Sequence, residues 1–428
     1  VRIVVGTERL EAWGGTETYV LTLADHLQRL GHDVEVLARR GGPPLRWARE
    51  HGIRAATIEP HDVPPADLLI SNTTAVALEL SSVLPGAKHI WVGHSTLSPL
   101  QRPPGADMVP AGVALNDRVA RWAAGAADAP PITRLCQPID TRRFFPAGPL
   151  RDRARRVLLL GNHPSDERGA TAEAAARAAG LDVVRIGASD GQHDAPELVM
   201  AEVDIVMGYG RSILEGMACG RAAYVFDRFG GDGWVTQESY QAMEADGFAG
   251  GATDDAITLE RLTEDLRAFS PEMGVVNRDL VVSSHRAEMH AAAMVSLAQQ
   301  QSTSPDATGR PVGARTDLAS AVRAMTSFVE QIDGQNRHVF VLAARISELE
   351  AERDRLRGRN AELESEPGRE RERVAELDAE LARAREALAA DGPDAAWGRE
   401  VRSSKRFRMT QAVLTPFDRF RRRGERSP

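Results

Sequence analysis

Three places in this 428-residue chain combine residue types whose chemistry depends on their spacing. The first is Trp13-Gly14-Gly15-Thr16-Glu17, between an apolar run and an amphipathic stretch. Two glycines at the start of a helix let backbone N–H groups approach an anion, and the helix dipole favours negative charge there. A plain glycine-rich turn has the same composition, so the pair alone does not decide. The G-x-G-x-x-G spacing is absent and no Gly-Lys-Ser/Thr follows, which excludes the dinucleotide fingerprint and the Walker loop. The second place is Gly208-Tyr209-Gly210-Arg211-Ser212-Ile213-Leu214-Glu215. Gly208 and Gly210 make a turn, 212–219 reads as a short helix, and Glu215 lies one turn inside it. A carboxylate there can accept two hydrogen bonds from vicinal hydroxyls, as on a ribose; an exposed helix glutamate is the plainer alternative. The third is His94, in Val92-Gly93-His94-Ser95, after an apolar run, where a histidine taken alone reads as structural. No Asp-x-Asp metal motif occurs, and His163, His193 and Asp194 show no metal-ligand spacing.

The elements that must position these residues follow a βα rhythm. Strands are expected at 2–5, 34–38, 68–71, 89–92 and 113–115, apolar with little alternation, as in a parallel sheet buried on both faces. A helix is expected at 16–30, with Tyr19, Val20, Leu23, Leu27 and Leu30 on one face and Gly31 as its stop. Pro146, Gly148 and Pro149 with a cluster of arginines interrupt the pattern, which restarts with strands at 157–160, 183–186, 203–207 and 222–226. A helix at 171–179 lies between the first two of these, and 280–299 looks like a single closing helix. Two βα series with a break between them predict an α/β chain of two doubly wound, Rossmann-like domains, 1–146 and 147–299.

Beyond them the period changes. Residues 300–314 form a polar linker. From 315 to 391 a heptad seam runs through Met325, Phe328, Ile332, Val339, Leu342, Ile346, Leu349, Leu356 and Leu363, with Gln335, Arg353 and Asn360 as its polar members. That spacing predicts a helical coiled coil and a parallel homodimer, broken near Pro367 and resuming at Val374, Leu377, Leu381 and Leu388. Residues 392–428 are a basic tail. Residues 399–428 alone carry a balance of +7 against a net −8 for the chain, so the remainder sums to −15 and does not suit nucleic acid. Aromatics at 5% argue against a stacking-based RNA binder as well. Phe407, Val413, Leu414, Phe417 and Phe420 alternate with cations in the tail, a pattern that suits an anionic membrane surface. No apolar run is long enough to span a bilayer and no secretory signal is visible, so a cytoplasmic location is expected, with the tail peripheral at the inner face of the membrane. Cys136 and Cys219 alone rule out a disulfide scaffold. Two lysines against 51 arginines read as the bias of a GC-rich bacterial genome.

Four segments in serial order carry a resemblance. ILEGMACGRAAYVF looks like L-E-A-M-A-x-G-x-P-V-V, and GGTETYVLTLADHLQRLGHDVEVLA looks like G-G-x-E-x-x-V-x-x-L-A-x-x-L-x-x-x-G-H-x-V-x-V. Leu115-Asn116-Asp117-Arg118-Val119 stands where V-S-D-x-V is often found, and Pro138-Ile139-Asp140 through Pro146 is similar to N-G-I-D-x-x-x-F-x-P. Over roughly 1–299 the chain resembles the family-four retaining glycosyltransferases of GT-B fold. The resemblance implies two Rossmann-like domains facing across a cleft, a nucleotide-sugar donor on the second and a glycan or lipid-linked acceptor facing the first. It implies no cofactor and no metal beyond that donor, and a role in bacterial polysaccharide synthesis. It carries roles onto single residues: Gly14 and Gly15 approach the donor diphosphate, with Gly210 in the turn before the donor-site helix. Arg168 contacts the diphosphate, Glu215 holds the nucleotide ribose, and His94 touches the transferred sugar as the catalytic residue. Met207 and Asn162 depart from the family pattern, which usually has a glutamate and an arginine there. A nucleotide-sugar epimerase on the same fold, or a non-catalytic scaffold acting through the coiled coil, remains an alternative.

Overall fold

The computed structural model describes residues 1–58, 63, 65–96, 101–161, 167–227, 230–253 and 257–301 except 188–193, then 318, 321–322, 324–325, 349, 352–353, 355–357 and 369–391. Residues 1–327 form one compact unit and 328–428 another.

The first unit opens with β1 (Arg2–Leu10), α1 (Gly15–Arg29), β2 (Asp33–Gly41), α2 (Pro43–Glu50), β3 (Arg54–Thr57) and β4 (Leu68–Ser71). It continues through α3 (Thr74–Val83), β5 (Lys88–Gly93), β6 (Ala111–Ala114), α4 (Asp117–Ala124) and β7 (Ile132–Arg134). These strands make one parallel sheet in the order β3-β2-β1-β4-β5-β6-β7. Helix α1 begins where Gly14 is extended and ends at Gly31, whose φ of +87° glycine adopts without strain. Its Tyr19, Val20, Leu23 and Leu27 are buried against β1 and β2, at about 1.5–3 kcal/mol for each large apolar side chain. Leu80 and Val76 of α3 pack on the opposite face.

The second sheet is built from β8 (Arg156–Leu160), α5 (Glu167–Ala178), β9 (Asp182–Ile186), α6 (Pro196–Met200), β10 (Ile205–Gly208), α7 (Arg211–Ala218), β11 (Ala222–Asp227) and β12 (Gly230–Trp234). The order is β12-β11-β10-β8-β9, parallel except for the edge strand β12. Helix α8 (Tyr240–Asp246) follows, then α9 (Leu259–Arg267), α10 (Glu272–Ser284) and α11 (Ala287–Gln300). Ile213, Leu214 and Met217 of α7 pack on one face with Val281 of α10; Ala175 of α5 and Leu262 of α9 pack on the other.

Two expectations change here. The closing helix read over 280–299 is two helices, divided at His285-Arg286. Its second half, α11, also leaves the second sheet: Ala291, Met294 and Ala298 are buried in the first sheet's core, although the sequence places them in the second domain. The apolar spacing continues through residue 285, but Ile139 captures the backbone there. Its N–H donates to His285 O at 2.7 Å and its C=O accepts from Ala287 N at 3.1 Å. The chain therefore crosses between the sheets twice, near residues 135–146 and again at 285–286. Strands β3, β7 and β12 are additions to the expected set.

In the second unit, Leu377 and Leu381 of the Arg369–Asp391 helix are buried with Leu349 of the same chain, with Leu356 packed alongside. Arg357 pairs with Asp378 at 3.1 Å and Arg373 with Glu352 at 3.5 Å. The described leucines of the expected seam are thus partnered within one chain. The rest of the seam up to residue 348 and at Asn360 and Leu363, the linker from residue 302, the break near Pro367 and the basic tail lie outside the described residues, apart from a few helical positions within 318–325.

Candidate functional site

A cavity of about 200 Å³ opens where the carboxyl ends of strands from the two sheets meet. In open α/β sheets this is where strand order reverses and where crevices form. The reversal falls between β1 and β4 in the first sheet and between β8 and β10 in the second. Trp13, Gly14 and Gly15 line the cavity from the loop after β1, and Leu160 and Gly161 from the end of β8. Tyr209, Gly210, Arg211 and Glu215 come from the turn after β10 and from α7.

Both helices that begin at the cavity start at a glycine with no side-chain cap. Gly14 is extended at φ −161°, and no heavy atom lies within 4 Å of where a Cβ of Gly15 would stand. Gly210 caps α7 at φ +59° and ψ −130°, a conformation that side chains with a Cβ rarely adopt. A Cβ on Gly208 would stand 2.4 Å from Leu160 O, so the β10 turn passes against β8 only as glycine. Each helix thus starts at its glycine without a side-chain cap, a position that suits an anion; within the first turns Ile213 N donates to Gly210 O and the Glu17 carboxylate accepts from its own N–H.

Glu215 is buried and does not stand alone. Its Oε1 accepts from Arg211 Nε at 2.7 Å. Arg211 Nη1 donates to Pro138 O at 2.8 Å and Nη2 to Thr22 Oγ1 at 3.1 Å. One guanidinium thus ties α7 to the interdomain segment and to α1. Burial pushes the Glu215 carboxyl up and the Arg211 guanidinium down, and their mutual attraction opposes both shifts.

A second cation, Arg143, reaches the cavity from the interdomain segment. Its guanidinium lies 5.4 Å from the Trp47 ring centre and 5.3 Å from that of Phe144, and it pairs with Glu197 at 2.9 Å. Trp13 meets Trp47 edge-on at 5.5 Å, so an aromatic wall supports this side.

His94 is half-buried at the end of β5 and is not among the residues that line the cavity. Its Nε2 lies 2.9 Å from Asn72 Oδ1, and Asn72 Nδ2 donates to Gly6 O. Nε2 therefore carries the proton and Nδ1 the lone pair. Burial, with His290 and Arg211 nearby, pushes its imidazole down to about 3, so it is neutral near pH 7. Its ring stands 4.8 Å from Tyr19, whose hydroxyl meets His290 Nε2 at 2.9 Å. Arg168 sits in the first turn of α5; its side chain lies outside the described residues. The cavity thus brings together Gly14, Gly15, Gly210 and Glu215, with His94 beyond it.

Sequence reasoning missed Arg143 and Arg211. A signal existed for Arg211, which precedes Glu215 by one helical turn between apolar neighbours. Among the described residues, two groups have metal-ligand side chains in mutual reach, Asp25-His26-Asp140 and Cys136-Glu244-His285; neither lines the cavity. In the second, Arg134 already supplies a cation, bonded to both Cys136 Sγ and Glu244.

The sequence model of Glycosyltransferase Family 4 matches residues 13–102. No curated protein matches the chain. HepE of Anabaena, solved with UDP and glucose, is 12% identical, covers 70% of this chain and 99% of its own, and superposes with a TM-score of 0.52. The same protein solved with UDP-glucose gives 13%, 69%, 99% and 0.50. The glycosyltransferase of Rickettsia africae is 12% identical, with 70% and 98% coverage and a TM-score of 0.48. About 70% of the chain therefore shares the fold of HepE, and a stretch that includes Gly14, Gly15 and His94 matches Glycosyltransferase Family 4.

Proposed function

We propose that the chain is a glycosyltransferase that takes a sugar from a nucleotide-sugar donor held in the cavity. The observation that carries this reading is the pair of uncapped helix starts, at Gly14–Gly15 and Gly210, facing one cavity with Glu215 on its wall. Backbone N–H groups with aligned dipoles suit a diphosphate, and a buried carboxylate suits a vicinal diol. HepE, whose fold it shares, was solved with UDP and with UDP-glucose, which makes UDP conjugates the first donors to test.

In this reading Glu215 accepts from the ribose hydroxyls, while the α1 and α7 N-termini and Arg168 hold the diphosphate without a resident metal. The acceptor is a hydroxyl of a glycan or lipid-linked glycan, on the side of the first sheet. Its oxygen forms a bond to the anomeric carbon as the bond to the diphosphate breaks on the same face, so configuration is retained. The leaving phosphate oxygen takes the acceptor's proton. Fixed positive dipoles count most here, because charge grows on the leaving group in the transition state. His94, neutral at pH 7, offers an acceptor nitrogen to a hydroxyl of the transferred sugar and does not act as an acid.

Among the described residues no helix is long and apolar enough to cross a membrane. The basic tail is proposed to hold the enzyme on an anionic membrane surface, where a lipid-linked acceptor would reside. The full chain should float with anionic vesicles at low salt and stay behind when truncated before Trp397. Equal flotation of the truncated chain would remove that role.

The experiment is incubation of the full chain with UDP- and GDP-sugars and lipid-linked glycan acceptors. Free nucleoside diphosphate with a glycosylated acceptor is the expected outcome. A changed sugar still attached to its nucleotide would make the protein an epimerase, and no melting shift with any nucleotide would make it a scaffold.

A further inference from the structure

The cavity's described lining contains two guanidinium groups, and their states differ. All three nitrogens of Arg211 are committed, to Glu215, Pro138 O and Thr22 Oγ1. Arg143 is bound at one end only. Both of its side-chain polar partners, the Glu197 carboxylate and Asp194 O, sit on Nη2. That leaves Nε and Nη1 without an acceptor among the described residues.

The rest of the Arg143 side chain is held in place. Trp47 and Phe144 each present a ring to the guanidinium at about the same distance, and Phe144 itself is buried. Trp47 is in turn braced by Trp13 edge-on at 5.5 Å and by His51 stacked at 4.0 Å. The backbone at Arg143 is fixed as well, because Asp140 Oδ1 accepts from Arg142 N at 3.0 Å and Arg143 N at 3.4 Å. A side chain pinned this way loses little freedom when it binds. Two parallel N–H bonds from its fork match the oxygens of a phosphate.

We infer that Arg143 is a further anchor for the phosphates of the donor, carried by the segment between the two sheets and not by either sheet. This inference rests on the proposed function, since it deepens what the cavity holds. Three consequences follow from the geometry. The anchor reads phosphate and not the base, because its unpaired nitrogens are charged donors with no matched acceptor beside them. It acts as a fork, so lysine is a poor replacement. Its aromatic clamp belongs to the first sheet through Trp47, so phosphate binding engages both halves of the unit at once.

The experiment is calorimetric titration of the full chain with UDP, GDP, uridine and guanosine, for wild type, Arg143→Ala, Arg143→Lys and Trp47→Leu. Expected results are a loss of at least tenfold in UDP affinity for Arg143→Ala and a smaller loss for Trp47→Leu. Arg143→Lys should recover only part of the loss, and uridine affinity should match wild type in all variants. Melting curves of each variant check that the fold is kept, and the lysine variant retains the Glu197 pair if alanine does not fold. A wild type that binds UDP with Arg143→Ala unchanged would overturn the anchor while leaving the proposed function standing. A parallel loss of uridine binding would show that Arg143 shapes the cavity and does not read phosphate, which also overturns it. A wild type that binds neither UDP nor GDP would overturn the proposed function and this inference together.

Discussion

Replacing Glu215 with alanine should unsettle the free protein before any donor is added. The carboxylate and its Arg211 partner are 9% and 6% exposed and 2.7 Å apart. Removing one member of a buried pair strands the other, which costs about 3–5 kcal/mol. Arg211 keeps Pro138 O and Thr22 Oγ1, so the lower end applies, about 3 kcal/mol. At roughly 2–4 °C per kcal/mol for a domain of 150–250 residues, Glu215→Ala should melt about 6–12 °C below wild type. Glu215→Gln, whose amide oxygen still accepts from Nε, should lose about 1 kcal/mol. Arg211→Met with Glu215→Leu removes both charges and should recover most of the loss, since apolar replacement of a buried pair is often neutral. Scanning calorimetry and urea unfolding give the stabilities. Donor affinity, measured well below both melting points, should fall tenfold or more as a contact of about 1.5–3 kcal/mol disappears. A Glu215→Ala protein that melts within about 1 °C of wild type would mean that the pair is not buried as described.

Three further outcomes are expected. Gly210→Ala should cost about 1–3 kcal/mol, since alanine must adopt a φ of +59°, and should weaken nucleotide binding in the same titration. Burial pushes the His89 imidazole from 6.5 down to about 3, so below pH 6.5 the unfolded chain takes up a proton that the native protein refuses. Stability should therefore fall with acidification between pH 6.5 and 3, by up to about 1.4 kcal/mol per pH unit from this residue, and unfolding of His89→Gln followed against pH should show a shallower slope. The seam predicts a homodimer for the full chain and a monomer after truncation at residue 314 in sedimentation; equal masses would assign the arm no role in association.

Much of the two-sheet body was legible because its strands are continuous apolar runs and α1 shows a clean buried face. Strand β3, Arg-Ala-Ala-Thr, and β7, Ile-Thr-Arg, were not, since each is short and offers little apolar contrast. The break at His285-Arg286 was hidden because it comes from a backbone pairing of Arg286 with Ile139, a partner 147 positions away that leaves no periodic trace. In the candidate site, glycines and Glu215 stood out through local spacing. Arg143 and Arg211 did not, because an arginine in sequence looks like surface charge until its aromatic and carboxylate neighbours are known. Leu349 shows the opposite limit: the heptad identified it as a buried seam residue, yet spacing alone does not say whether its partner is another chain or Leu377 and Leu381 of its own.

The return of α11 to the first sheet bears on how such chains can be recombined. A chimera cut once near residue 146 would take its first half from one parent and α11 from the other. The foreign helix would have to supply the His290 contacts to Tyr19 and Cys136 O, and the Ala298 carbonyl that accepts from Lys88 Nζ at 2.8 Å. The two sheets with their helices are therefore not exchangeable cassettes. The inheritable module of the first sheet is discontinuous, residues 1–146 together with 287–301, and a swap that keeps those two segments from one parent preserves the packing that a single crossover would split.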